Sequence, residues 1–348
     1  MINTLQLLLK ESLFFYWYSA LFVFIAGLCV GSFLNVVALR SLSNESIVLP
    51  PSKCPKCNHP LKWYDNIPVL SYFILLRGKC RYCSAPISIQ YPIVELTTAL
   101  IFTTLFMKFG ATWNFILLCC LASCFIVMCI TDLKEQVIFD NISIPVIPIG
   151  LFYSFFNIGN FHSGSVNVFN TGIYLQNSFI SSLAAVFIAL LFFEIISFLS
   201  KLFIKHRAFG EGDTIIAMGI GAWFGVKILI ITIILSFITQ VVATLPLVTA
   251  KLIKNKNYNL LQGFGLLIIS LIVAVTSNIL GVTETHTGAV ITLVITIIAA
   301  LYGTIKIFSN LDKTNLTMLP FGPALIAAAF LAVFFTDYCV DIIYTFLR

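Results

Sequence analysis

The chain has 348 residues, of which 59% are hydrophobic and only 10% charged, against about 25% charged in a soluble domain. A mean hydropathy of +1.02 is too high for a core solvated by water, so lipid surrounds most of the chain and an ordinary soluble enzyme is excluded. The net charge of +6 is gathered in a few loops and reads as membrane orientation, not nucleic-acid binding.

In chain order, the first apolar stretch is 13–39. It is too long for a signal-peptide core and lacks a strongly basic start, so it is expected to be a retained span. Further runs follow at 93–108, 114–131, 141–158, 178–200, 214–225, 227–250, 262–281, 288–308 and 321–345. A full crossing takes about 20 residues, so 214–225 must tilt, re-enter or merge with its neighbour. The expectation is an all-α polytopic membrane protein, a bundle of about eight to ten transmembrane helices with a small cytoplasmic zinc-binding domain. Its parts are a first transmembrane segment (1–39), a tetracysteine domain (40–92) and a polytopic membrane domain (93–348).

Basic residues set the expected orientation. Arg40, Lys53, Lys56, Lys62, Arg77, Lys79 and Arg81 lie in 40–92, and Lys201, Lys205 and Arg207 in 201–213. Lys251, Lys254, Lys256, Lys306 and Lys313 mark two later breaks, whereas 159–177 has no Lys, Arg, Asp or Glu. Alternating crossings put every basic loop on one side, which should be the cytoplasm.

Within 40–92 stand two CxxC pairs, Cys54-Pro-Lys-Cys57 and Cys80-Arg-Tyr-Cys83. Paired knuckles of this kind point to tetrahedral thiolate coordination of zinc, in a closed structural site with no position left for water. A segment this short is near the limit for folding without a staple, which a metal would supply. Asp65 and His59 are expected at the surface. The other six cysteines lie in apolar runs and read as small packing residues.

Two carboxylates stand at the expected cytoplasmic ends of spans. Asp132 follows Val127-Met128-Cys129-Ile130-Thr131, and Asp213 closes Phe209-Gly210-Glu211-Gly212-Asp213. A carboxylate at the membrane edge is costly and is a functional candidate by default. Two close carboxyl groups cannot both ionise, so they share a proton. The ionised one can activate water, and the protonated one can donate to a carbonyl oxygen. Gly210 and Gly212 would support this site by permitting positive φ and close approach of a substrate backbone. The bland alternative is a loop with a helix N-cap aspartate. Asp140 reads as an N-cap ahead of Asn141, Glu211 as solvated, and Glu95 as a charge neutraliser or a participant in a second reaction.

Taken together, these pieces resemble the type IV prepilin peptidase family. The resemblance runs from Gly31-Ser32-Phe33-Leu34-Asn35 through Cys54–Cys57, Asp65-Asn66-Ile67-Pro68, Arg77-Gly78-Lys79-Cys80 and Tyr91-Pro92-Ile93-Val94-Glu95. It continues through Thr131-Asp132-Leu133 and Gly210–Asp213 to Pro320-Phe321-Gly322-Pro323. Phe139 stands where the family usually has proline, and Thr214-Ile215 replaces its usual Val-Lys. The resemblance implies an inner-membrane aspartic endopeptidase with Asp132 and Asp213 as the catalytic pair. It would cleave the leaders of type IV prepilins and type II secretion pseudopilins at the cytoplasmic face. Because the chain carries the tetracysteine domain, the resemblance also implies N-methylation of the new terminus by S-adenosylmethionine. The rival reading is a polytopic transporter with membrane-edge aspartates as ion ligands, which would predict internal repeats and carboxylates near the midplane.

Overall fold

A computed structural model describes residues 2–49, 51–156, 178–204, 209–254, 262, 265–266 and 320–336. The described chain is helical, with no strand beyond two isolated β-bridges. Its helices are α1 (Ile2–Leu42), α2 (Gln90–Phe109), α3 (Trp113–Glu135), α4 (Asp140–Phe155), α5 (Ser178–Ile204), α6 (Glu211–Lys254) and α7 (Gly322–Phe334). Five of them, α1, α2, α3, α5 and α6, are long and apolar enough to cross a membrane. Large apolar side chains such as Phe22, Phe187 and Phe198 point outward and are exposed, as lipid-facing residues must be. The chain is a multi-pass membrane protein.

The runs expected at 214–225 and 227–250 are one helix, α6, broken at Gly225. That residue has φ 75°, a backbone conformation open to glycine at little cost. The spans expected at 288–308 and over nearly all of 262–281 lie outside the described residues, as do the loops 159–177 and 306–319.

The chain forms two compact units, 1–237 with 320–348, and 238–319. The first carries every feature discussed below. Its α1 and α2 approach through small residues. A Cβ on Gly27 would lie 2.6 Å from Ala99 Cα, and one on Gly31 would lie 2.8 Å from Glu95 Cα. Glycines four apart let two membrane helices meet backbone to backbone. Phe125, Tyr153, Phe193, Ile216, Ile220 and Leu325 fill the core between α3, α4, α5, α6 and α7. Within it the Trp223 indole N–H donates to the Val146 carbonyl at 2.9 Å and stacks on Tyr153 at 4.9 Å.

Local chemistry sets the helix ends that matter for the site. Gln136 closes α3 in the left-handed conformation, its N–H donating to the Asp132 carbonyl at 3.0 Å. Asp140 is the first residue of α4; the capping position belongs to Phe139, and no side chain caps it. The expectation for Asp140 was therefore one position off. It still sits where a negative charge meets the positive end of the helix dipole.

Candidate active site and tetracysteine centre

Residues 43–89 lie between α1 and α2 and contain two copies of one knuckle. In the first, Cys54 N–H donates to His59 O at 3.0 Å, Asn58 N–H donates to Cys54 O at 2.9 Å, and Lys53 bridges to Pro60. In the second, Cys80 N–H donates to Ala85 O at 2.8 Å, Ser84 N–H donates to Cys80 O at 2.9 Å, and Lys79 bridges to Pro86. Asn58 (φ 55°) and Ser84 (φ 54°) turn each knuckle back on itself. The repeat Lys-Cys-x-x-Cys-x-x-Pro is legible in the sequence at 53–60 and 79–86.

The knuckles bring the four sulfurs within 4.8 Å of one another. Cys54 Sγ is 3.8 Å from Cys83 Sγ, and Cys57 Sγ is 4.0 Å from Cys80 Sγ. A zinc–sulfur bond of about 2.3 Å in a tetrahedron puts sulfurs about 3.8 Å apart, so the donor set fits a tetrahedral thiophilic metal. N–H groups of Cys57 and Lys56 bring the Cys54 thiol down to about 6. At Cys83 the Ala85 N–H pulls the same way, but desolvation and the sulfurs of Cys80, Cys57 and Cys54 outweigh it and push the thiol up to about 11. Four thiolates this close repel one another unless a cation sits among them. The cluster can hold a metal ion.

Asp65 is not a surface group. Its side chain is fully buried, and the Arg81 guanidinium donates to Oδ1 from Nη2 at 2.7 Å and from Nε at 3.1 Å. Arg81 lies between the cysteines of the second knuckle, so the pair ties 62–66 to it. Burial of the carboxylate is compensated by a charge-assisted, two-donor contact. His59 is exposed, as expected, and its ring lies 3.6 Å from that of Tyr82.

The two aspartates come together at the C-terminal end of α3 and the N-terminal end of α6. Asp132 is 5% exposed and Asp213 8% exposed. They lie close enough to interact electrostatically, and the backbone amide of Gly322 faces both carboxyl groups. Asp132 Oδ2 is buried and makes no hydrogen bond to any described residue. Asp213 is the third residue of α6, and its Oδ2 accepts the Gly210 N–H at 3.1 Å. That is one half of a capping box, with the acid inside the helix and not at its N-cap.

Of the two reasons expected for the glycines, the positive φ is absent at both. A Cβ on Gly212 would overlap Ile138 of the α3–α4 turn, so glycine lets the start of α6 close onto that turn and bring Asp213 toward Asp132. Gly210 is exposed and offers its amide to Asp213. Glu211 is exposed, as expected.

Gly322 was missed as a site residue. A Cβ there would overlap Asp132 Oδ2 and lie 3.3 Å from Ile216 Cδ1. Phe321 anchors the segment, its ring 4.9 Å from Phe209, 5.4 Å from Phe237 and 6.2 Å from Phe193. Pro323 at the start of α7 fixes the helix entry. The sequence signal was Pro320-Phe321-Gly322-Pro323, a rigid turn with one residue lacking a side chain.

Residues 25–109 match the model of the bacterial peptidase A24 N-terminal domain. Residues 119–245 match that of the type IV leader peptidase family. Among curated proteins, the chain is 30% identical over 251 residues to a prepilin leader peptidase/N-methyltransferase of Neisseria gonorrhoeae, covering 65% of this chain and 82% of that protein. It is 33% identical over 234 residues to one of Pseudomonas aeruginosa, covering 60% and 74%. It is 34% identical over 204 residues to one of Myxococcus xanthus, covering 59% of this chain and 56% of the relative. No solved structure matches the chain. With both domain models matched in order, and one relative covered over 82% of its length, the chain belongs to the type IV leader peptidase family.

Proposed function

We propose that the chain is a prepilin peptidase of the cytoplasmic membrane that cleaves leader peptides with the Asp132–Asp213 pair and N-methylates the new terminus. The observation that carries the peptidase reading is the convergence of two buried carboxyl groups on one backbone amide, that of Gly322. One proton shared by the pair gives an acid and a base side by side. The ionised carboxylate takes a proton from water as the water oxygen attacks the peptide carbonyl. The protonated one donates to the carbonyl oxygen and then assists the departing amine. The Gly322 N–H favours the negative charge that the pair must carry through the cycle.

The substrates are type IV prepilins and type II secretion pseudopilins. Their apolar helices would lie in the bilayer beside the bundle, with the basic leader at the cytoplasmic face. Orientation rests on the basic residues of 40–92. Four helix ends support a shared side. The module joins the end of α1 to the start of α2, Asp132 lies at the end of α3, and Asp213 lies at the start of α6. A transporter reading has less support, because both aspartates stand at helix termini. Zinc is the metal proposed for Cys54, Cys57, Cys80 and Cys83. It would supply a crosslink for the module and take no part in the chemistry, since four thiolates leave it no open position.

The test is to co-express the chain with a prepilin and weigh the product. Loss of the leader with one added methyl supports both activities. An intact prepilin refutes the peptidase reading, and leader loss without a methyl refutes the methyltransferase reading. Within this account Gly322→Ala is a severe change. Its Cβ overlaps Asp132 Oδ2, and a displacement of about 1 Å at a reacting group costs on the order of 10²-fold. Cleavage kinetics with purified prepilin should fall by that factor or more, while the buried, apolar α7 still folds.

A further inference from the structure

Methyl transfer needs a chamber of its own, because two carboxyl groups converging on a backbone amide offer nothing to recognise a methyl donor. A cavity of about 870 Å³ lies between α1, the tetracysteine module and the first turns of α2, and it reaches Lys134 on α3. Small-molecule sites fall in the range of roughly 300–1,000 Å³.

The lining joins both signs of charge with aromatic rings. Glu95 and Arg40 face it together with Tyr72, Tyr91 and Phe33. Glu95 is 6% exposed. Its Oε2 accepts the Val69 N–H at 2.7 Å, and the Ser32 hydroxyl lies against it. No cation pairs with this carboxylate among the described residues. Buried carboxylates are ordinarily paired, so this one has an unmet demand for positive charge. Val69 holds φ 62°, a conformation that costs a β-branched residue on the order of 1–3 kcal/mol. Its N–H is held by the Glu95 carboxylate and its carbonyl by the Phe73 N–H at 3.1 Å, so Glu95, which lines the cavity, also steadies this strained residue.

We propose that this cavity is the methyl-transfer chamber and that it binds S-adenosylmethionine with Glu95 facing the cationic sulfonium end. The inference rests on the methyltransferase reading above and assigns its site. The donor's two positive groups suit Glu95, its carboxylate suits Arg40 or Lys134, and its purine suits the tyrosine rings. Lys134 stands two positions after Asp132 on α3, so the chamber and the aspartate pair share one end of that helix. The amine released by cleavage, as ammonium, gives one proton to Glu95. Its lone pair then bonds to the methyl carbon as the carbon–sulfur bond breaks with its electrons going to sulfur, leaving S-adenosylhomocysteine and a secondary ammonium.

The test uses the full-length chain purified in detergent, with donor binding measured by titration calorimetry and the pilin product weighed. Glu95→Gln keeps an acceptor for the Val69 N–H and removes the charge, and Val36→Trp fills the chamber from α1. Each should weaken S-adenosylmethionine binding about tenfold or more and leave pilin cleaved but unmethylated. Leader cleavage should stay within about twofold of the unaltered chain, which also reports an intact fold. Unchanged donor affinity and full methylation in both variants would overturn the chamber. If the unaltered chain removes the leader but adds no methyl, the methyltransferase reading itself falls, a separate outcome.

Discussion

Asparagine at position 132 or at position 213 should lower leader cleavage by at least about 10³-fold while leaving the fold in place. Positioned acid–base groups contribute about 10²–10⁴-fold, and here one substitution removes both roles. With one member a neutral amide, the remaining carboxyl group has no partner to share a proton with. It ionises and can no longer donate. The architecture tolerates the change. In Asp213→Asn the side-chain amide oxygen would still accept the Gly210 N–H now bound by Asp213 Oδ2, so α6 keeps its start. In Asp132→Asn the amide keeps the side-chain volume, and Oδ2 of the native residue has no hydrogen bond to lose. Removing one of two adjacent buried acids does not isolate a charge, so the thermal midpoint in detergent should not fall. Cleavage kinetics and a melting curve on each variant check both halves.

The second large effect belongs to the metal. Cys54→Ser, or chelation of the intact protein, should empty the tetracysteine centre and unfold residues 43–89. Structural zinc contributes an apparent binding free energy on the order of 10–16 kcal/mol to small domains. This module has little else. Its aromatic and apolar side chains Trp63, Phe73, Ile74 and Leu75 are exposed, and its chief polar tie is the Asp65–Arg81 pair. Metal analysis should fall from about one ion per chain to none, and limited proteolysis should open new sites between α1 and α2. Metal content unchanged in Cys54→Ser would refute the assignment. Because the module walls the proposed chamber, donor binding should be lost with the metal, whereas Asp132 and Asp213 stand on α3 and α6 and should retain more of their activity.

Much of this was readable from residue types. Lipid as solvent follows from composition, and the four metal-ligand candidates follow from two CxxC pairs. Asp132 and Asp213 stood out because carboxylates at span ends are costly. What escaped depends on which atoms meet across the fold. Asp65 looks like any loop acid until Arg81, from the other knuckle, is placed against it. Gly212 was read for a positive φ and for close approach of a substrate; its φ is not positive, and the room its missing Cβ leaves for Ile138 across the α3–α4 turn shows only in the fold. Gly322 follows both aspartates by a long stretch of chain, and no local pattern announces that its amide faces them. The break at Gly225 was ambiguous for a different reason. A glycine inside an apolar run gives the same hydropathy trace whether the helix ends, bends or continues. The repeat of the two knuckles is present in the sequence but easily overlooked, because the cysteines carry the metal signal and the Pro that closes each turn carries none.

The central claim is that Asp132 and Asp213 act as one unit, and residual cleavage rates of the two single Asn variants and of the double variant test it most directly. Groups that work together lose their function with the first removal. The double variant should therefore cleave prepilin about as slowly as either single one. Losses that multiply in the double variant, or a single variant that still cleaves at near the native rate, would contradict the account.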